Sequence, residues 1–407
     1  MSVAAQVLPL SLPDAERAAL VNAPELHRFE AKSQALAAKA IADGQLPDPQ
    51  LMAGTINVPT NTFSFTQDDM TMIEVGLSQS FPKGHSRAIK SAQTTAQSTA
   101  EQRKEAEEVL TLLQQVRQSW LDVYDKTQSL RIVDENQKIL TYLLKTTRAQ
   151  YSVGKDTLSN VLQVQLMLSQ LDDTKTQTQE QLDVARAELG RWIGQAAANL
   201  PLAHTLPHWP NPPLLVDMQN ELQRHPLLKV DAADIDVARD EVALAREQYK
   251  PGFEAGVSYG LRQGNMMGDN GMPTPRSNMV TAEVTMDLPV FTKNRQDKQL
   301  QASNDDLEAA ELTQQIHYRD LVKVLNEQYA TWQRLSQRDT LYTQQLMPEA
   351  HQNAKAALLA YQSATTDLAT VLRAYSNERD IELEQLDVQI EREKVRASLL
   401  YLEGLSA

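Results

Sequence analysis

The side chains of this sequence that could do chemistry are few and scattered. Its seven histidines are scattered, with no metal-ligand spacing on a common helix face, and each reads as a surface or interhelix residue. There is no cysteine, which excludes a disulfide framework, thiolate metal sites and lipid attachment at an N-terminal cysteine, and which suits an envelope compartment. The run Gly264-Asn265-Met266-Met267-Gly268, with Met272 and Met279, gathers thioethers, ligands that suit Cu(I). Its plainer reading is a flexible loop between strands. No catalytic constellation emerges, so neither an enzyme nor a cofactor is expected. The net charge of −14 argues against nucleic acid, whose phosphates need a basic face. That charge is compatible with a lumen that carries cations, the plainer reading being an ordinary solvated acidic surface.

The elements that must position these residues are unusual. His85 to Val153 is 69 residues without glycine or proline. As one α-helix it would be about 100 Å long, against a dozen residues for an average globular helix. Ala, Gln, Glu, Leu and Lys dominate it, all good helix formers. A second such stretch runs from Asn294 to Glu403, broken only by Pro348. Ser11 to Ala42 reads as a further helix, with Ser11 as cap and Pro13 in the first turn. Another helical stretch follows Gly154 up to Gly190. No segment is apolar enough for a transmembrane helix, and Met1 to Leu10 is too short and uncharged for a complete secretory signal, which would lie upstream or have been removed.

The organisation occurs twice. At an offset of 202, Pro24 falls on Pro226, Leu26 on Leu228, Ala31 on Ala233 and Pro49 on Pro251. Later the offset is about 210, placing Tyr151 on Tyr361, Leu158 on Leu368 and Val161-Leu162 on Val371-Leu372. The expected division is a first repeat over 1–199, a proline-rich linker over 200–215 and a second repeat over 216–407. The second half has gained about eight residues, most naturally in its strand region.

Strand segments fall within 51–82 and 252–291. Ile73, Val75 and Leu77 alternate with Glu74, Gly76 and Ser78. Phe253 to Leu261 and Val280 to Leu288 alternate in the same way. Segments of this length with one apolar and one polar face match transmembrane β-barrel strands, the alternative being a soluble sheet lying on a core. Two strand pairs give four strands, whereas a closed barrel needs about eight or more and lipid admits no open edge. Two chains would supply eight strands and three would supply twelve.

Taken in order, these segments resemble the TolC-type outer-membrane efflux factors. The residues that carry the resemblance are Asn22-Ala23-Pro24-Glu25-Leu26, Leu46-Pro47-Asp48-Pro49, Val75-Gly76-Leu77-Ser78-Gln79 with Phe81-Pro82, and Tyr151-Ser152-Val153-Gly154 with Val161-Leu162. Their second-half counterparts are Leu288-Pro289-Val290-Phe291 and Tyr361 through Leu372. The resemblance implies a mainly α protein with a membrane β part: a homotrimer with a shared 12-stranded barrel in the outer membrane of a Gram-negative bacterium, and a long α-helical barrel in the periplasm with an equatorial belt. It implies an exit duct in contact with outer-membrane lipid, a periplasmic adaptor and an inner-membrane transporter. The compact length, Met70-Thr71-Met72 and Phe81-Pro82-Lys83-Gly84 are most similar to the heavy-metal branch served by resistance-nodulation-division pumps.

In that family the helix-hairpin tips close the channel at its periplasmic end. By motif position the gate residues would be Tyr151, Gly154, Asp156 and Asn160 in the first half, and Tyr361, Asp367, Thr370 and Arg373 in the second. Asn160, Thr370 and Arg373 stand where the family often has carboxylates, and Ala364 replaces the tip glycine, so Asp156 and Asp367 are expected to supply the charge. A drug-efflux or type I secretion duct shares this reading. From another class, a soluble coiled-coil scaffold would share the long helices but not the strand alternation.

Overall fold

The computed structural model describes residues 9–269, 271–363 and 365–404. Most of the segment weighed as an export signal, and Ala364, therefore lie outside the described residues. The chain forms two compact units, one of residues 1–28, 104–228 and 316–407, the other of residues 29–103 and 229–315.

Ser11 caps α1 (Leu12–Val21), and Pro13 sits in its first turn. The single helix expected over Ser11 to Ala42 is in fact two. The chain breaks at Asn22-Ala23 and resumes as α2 (Pro24–Asp43), because Pro24 has no N–H to continue the ladder and is favoured at a helix start. Strands β1 (Gln50–Ile56) and β2 (Met72–Phe81) follow, then α3 (Ser86–Ser152), 67 residues without interruption. Next comes α4 (Leu158–Ile193), which runs through Gly190, where the sequence suggested an end. The stop is Gly194, whose φ of +87° suits glycine alone. Short helices α5 (Gln195–Ala198) and α6 (Leu215–Glu221) flank the proline-rich stretch. A 3₁₀ turn (Leu222–Arg224) leads to α7 (Pro226–Glu247).

The second half continues with β3 (Phe253–Arg262), a small hairpin of β4 (Asn265–Met267) and β5 (Pro273–Pro275), and β6 (Met279–Met286). Helix α8 (Gln296–Leu341) passes through a π turn (Tyr342–Leu346) into α9 (Met347–Gln362), and α10 (Leu368–Leu402) closes the chain. Pro348 thus does not break the helix. Proline removes an N–H and crowds the carbonyl four residues back, and the wider turn just before it accommodates both. From α8 to α9 the helical path runs 296–362, the span of α3 shifted by 210.

The first unit holds its largest core around Trp120, which is fully buried, stacks on Tyr124 at 5.5 Å and donates its indole N–H to Leu10 O at 3.3 Å. Leu10 bridges Leu202 in the proline-rich stretch, so the segment before α1 and the expected linker are packed parts of this core.

In the second unit β1, β2, β3 and β6 form one antiparallel sheet in that order. Register puts Leu51, Leu77 and Val257 in one row and Ala53, Val75, Tyr259 and Val280 in another, all on one face. The opposite face carries Glu74, Ser258, Glu254, Glu283 and Arg262, with the Ser258 hydroxyl donating to Glu74. The apolar face is uncovered within the chain: Val75, Leu77, Val257, Tyr259, Val280 and Val284 are each about half exposed or more. Among the described residues β1 and β6 each pair on one side only. At one end of the sheet Arg276 ties the two loops together, donating to Asp68 O, Gln263 O and Thr66 O and pairing with Asp69. At the other end stand the connections to α2, α3, α7 and α8. The extra residues of the second half, expected in its strand region, lie largely in the connection that leaves it: 287–295 joins β6 to α8 where 82–85 joins β2 to α3.

The 82–85 turn depends on Gly84, with φ of +50° and no room for a Cβ, which would stand 2.0 Å from Glu247 Oε2. Glu247 accepts the His85 N–H at 2.6 Å and pairs with Lys250 at 2.7 Å. Gly84→Ala is expected to cost about 1–2 kcal/mol for the left-handed backbone alone, read as a lowered midpoint of unfolding. The Lys250 contact and then the His85 N–H hold the Glu247 carboxyl below its ordinary range. The clamp is therefore fully present above that range and is lost as pH falls through the depressed value. Protection of the His85 amide from exchange is expected to be lost only below the ordinary glutamate range.

Candidate functional site

The two hairpin tips, both in the first unit, are built alike. At the end of α3 the Gly154 N–H bonds Tyr151 O at 3.0 Å and the Lys155 N–H bonds Gln150 O at 2.8 Å, with Gly154 at φ +75°. This pair of bonds is a Schellman motif, which closes the orphaned carbonyls of a helix end. At the end of α9 the Thr365 N–H bonds Ala360 O at 2.9 Å, the same long bond shifted by 210. Thr157 then caps α4 by accepting from the Asn160 N–H at 3.2 Å, and Asp367 caps α10 by accepting from the Thr370 N–H at 2.8 Å. Hydrogen bonds from Thr370 hold the Asp367 carboxyl below the usual carboxylate range.

The likeness ends with the polar side chains. Asp156 gathers three donors: its Oδ1 accepts the Thr157 N–H at 2.7 Å and the Asn160 amide at 2.6 Å, and its Oδ2 accepts the Tyr361 hydroxyl at 2.9 Å. The last of these joins the first hairpin to the second. The Tyr361 hydroxyl also lies 2.8 Å from Gln150 Oε1, giving one proton two acceptors, of which the carboxylate is the stronger. Burial pushes the Tyr361 phenol upward, and the Asp156 contact adds to that. Its ring packs on an apolar cluster that includes Leu140, Leu143, Val164, Leu368 and Val371, drawn from both hairpins.

The structure therefore brings Asp156, Asn160 and Tyr361 together across the tips. Asp367, Thr370 and Arg373 form a separate chain on the second tip, Arg373 donating to Thr370 Oγ1 at 3.2 Å. Tyr151, the counterpart of Tyr361, is 46% exposed and takes no part. Reading residue types missed Gln150 and Thr157. The offset of 210, which lays Thr157 on Asp367, could have found the second, while nothing local marks the first. On α4 an uncovered stripe of Leu158, Leu162 and Leu166 repeats every fourth residue, more than half exposed. Such a stripe fits packing against another helix and has no such cover among the described residues.

Among the described residues no group of three or more His, Asp or Glu could hold a metal, and no helix is long and apolar enough to cross a membrane. The methionine segment forms the β4–β5 hairpin, with Met267 77% exposed.

A family model described as outer membrane efflux protein matches residues 17–195 and 218–404. Among solved structures the chain is similar to the outer membrane protein VceC from Vibrio cholerae, at 16% identity and a TM-score of 0.79, covering 97% of this chain and 96% of that one. It is similar to the outer-membrane channel OprN, at 14% identity and a TM-score of 0.78 over 97% and 89% of the two chains. It is also similar to CusC, described in connection with folding and transmembrane channel formation, at 16% identity and a TM-score of 0.79 over 96% and 91%. No curated protein matches the chain in sequence.

Proposed function

The chain belongs to the outer membrane efflux protein family, and from that premise we propose that it is the passive exit duct of a tripartite pump, working as a homotrimer. The observation that carries this reading is the four-stranded sheet, with its apolar face uncovered and β1 and β6 each paired on one side. Lipid would cover the face, and only further copies can close the edges, because an open edge is not tolerated in hydrocarbon. Three copies give twelve strands with the polar row of Glu74, Glu254 and Glu283 inward. The two repeats, over 1–199 and 216–407, would then each contribute one strand pair and one helical hairpin.

At the periplasmic end the tips form the gate. Asp156 and Tyr361 lock one hairpin to the other, Asn160 supports Asp156, and Gly154 shapes the turn. Asp367, Thr370, Arg373 and the exposed Tyr151 present the surface that meets neighbouring copies. A periplasmic adaptor docking there would release the lock, and a resistance-nodulation-division transporter in the inner membrane would choose the cargo. Heavy-metal cations are the proposed cargo, on the likeness of Met70-Thr71-Met72 and Phe81-Pro82-Lys83-Gly84 to that branch.

Purified protein is expected to need detergent, to have about three times the 45.5 kDa chain mass, and to form pores in planar bilayers. A monodisperse species without detergent would favour a coiled-coil scaffold instead. For cargo, restoration of metal tolerance in cells lacking their own channel supports the metal assignment. Restoration of drug tolerance alone would replace it with a drug duct.

A further inference from the structure

Within the first unit a cavity of about 400 Å³ lies between the proline-rich stretch, α8 and α10. That volume falls in the range of small-ligand sites, and the gate at the tips makes no use of it. One wall is Leu206 to Asn211, a second is Trp332, Ser336 and Thr340 at four-residue spacing on α8, and α10 supplies the third. Internal contacts hold these walls in place. Arg396 on α10 donates to Pro210 O at 2.8 Å and pairs with Glu403 at 2.7 Å. Arg392 pairs with Glu393 at 2.8 Å and also with Asp339. Tyr124 donates to His204 O at 3.0 Å, and Pro207 and Pro210 fix their own φ, so the stretch is ordered in advance of any ligand.

What the cavity offers a ligand follows from which of its groups are already paired. Its two arginines and its one carboxylate, Glu393, are all matched, so no free charge draws an anion or a cation. Among the described residues the side chains of His208, Trp209, Asn211 and Trp332 make no hydrogen bond, which leaves an imidazole, an amide and two indole N–H groups to pair. Ser336 and Thr340 each donate to a carbonyl one turn back, Trp332 O at 2.8 Å and Ser336 O at 2.9 Å, and keep their oxygens as acceptors. The buried Arg117 guanidinium lies 5.9 Å from the Trp209 ring centroid and steadies that ring. Two electron-rich indole faces thus stand among unpaired donors and acceptors. The matching ligand is uncharged, has hydroxyls that both donate and accept, and lays C–H groups of partial positive charge on the indoles, as a pyranose ring does. A flat apolar compound would cover the indoles but strand the polar groups, and only Leu206, Pro207 and Pro210 of the lining lack a polar side-chain atom.

We propose that this cavity binds an uncharged pyranose of a glycan, stacked on Trp332 and Trp209 and hydrogen-bonded by Asn211 and His208. The source of the sugar rests on the outer-membrane channel reading, which stands the long helices in the periplasm, among the glycan strands of the cell wall. Binding there would anchor the duct to the wall, a property that efflux does not require.

The test is saturation-transfer NMR on the full chain in detergent with the trisaccharide of N-acetylglucosamine. Saturable binding is expected, insensitive to salt because no free charge takes part. Trp332→Ala should weaken it about tenfold and Asn211→Ala about threefold. Trp332 also packs on an apolar cluster of its unit, whereas Asn211 is exposed, so Asn211→Ala decides if Trp332→Ala fails to fold. Cosedimentation of the wild type with purified cell-wall glycan, lost in the same variants, identifies the wall strand as the source. Trisaccharide binding without cosedimentation identifies a free oligosaccharide instead. No saturable binding of the trisaccharide, or binding that Asn211→Ala and a folded Trp332→Ala both leave intact, overturns the site. Uptake of a neutral aromatic dye in place of the sugar overturns it in favour of a drug site. Failure of the wild type to form pores in bilayers would overturn the channel reading while leaving the sugar binding in place.

Discussion

Tyr361→Phe is expected to raise the conductance of the resting channel in planar bilayers by about tenfold or more. The substitution keeps the ring in its apolar seat and removes only the hydroxyl that links Asp156 and Gln150 to the second hairpin. A hydrogen bond to a charged group contributes about 1.5–3 kcal/mol, and 1.4 kcal/mol shifts a closed–open equilibrium tenfold. Asp156→Ala is expected to do at least as much, since it also strips the Thr157 N–H and Asn160 of their acceptor. Asp367→Asn makes the contrast. The sequence suggested that removing charge at either aspartate would open the tip, but the Asp367 carboxylate is occupied as a helix cap and asparagine caps as well. Its resting conductance should match the wild type. Equal conductance in all three variants would move the gate away from the Asp156–Tyr361 lock.

Trp120→Ala is expected to destabilise the first unit by about 3–5 kcal/mol, the usual cost of emptying a large aromatic site. Trp120 is fully buried, and its loss also removes one of the two donors to Leu10 O, leaving only the Ala203 N–H. Since Leu10 is bridged to Leu202, the strap before α1 and the proline-rich stretch should loosen together. Denaturant unfolding in detergent would measure the loss, and proteolysis near Leu202 would report the strap. Trp120→Phe, which preserves the stacking partner for Tyr124, should lose clearly less. A near-neutral Trp120→Ala would mean that this core does not hold the unit together.

How much of this was legible in the sequence differs by element. The alternation of Phe253 to Leu261 and the glycine-free run from His85 to Val153 gave strand and helix almost to the residue, because in both the period repeats for longer than chance allows. Gly190 and Pro348 misled. Each is a local breaker, but α4 carries enough packing to run through a glycine, and one wide turn accommodates the proline. The break at Asn22-Ala23 was hidden by flanking helix formers. At the tips, position in the motif found Asp156 and Tyr361 but could not pair them, since they lie 205 residues apart. The duplication in fact argued against any difference between Tyr361 and Tyr151.

The π turn at Tyr342–Leu346 has no counterpart in α3, and the duplicated hairpins end differently beyond it. Tyr151 and Tyr361 stand at the same count from the starts of α3 and α8, so equal helices would aim them in equal directions. Tyr361 nonetheless packs on the apolar cluster and reaches Asp156, while Tyr151 is 46% exposed. Staves of identical count thus end in unlike tips, and any ring assembled from this chain must alternate them. Its rotational symmetry can be no higher than the number of chains, however faithful the duplication within each.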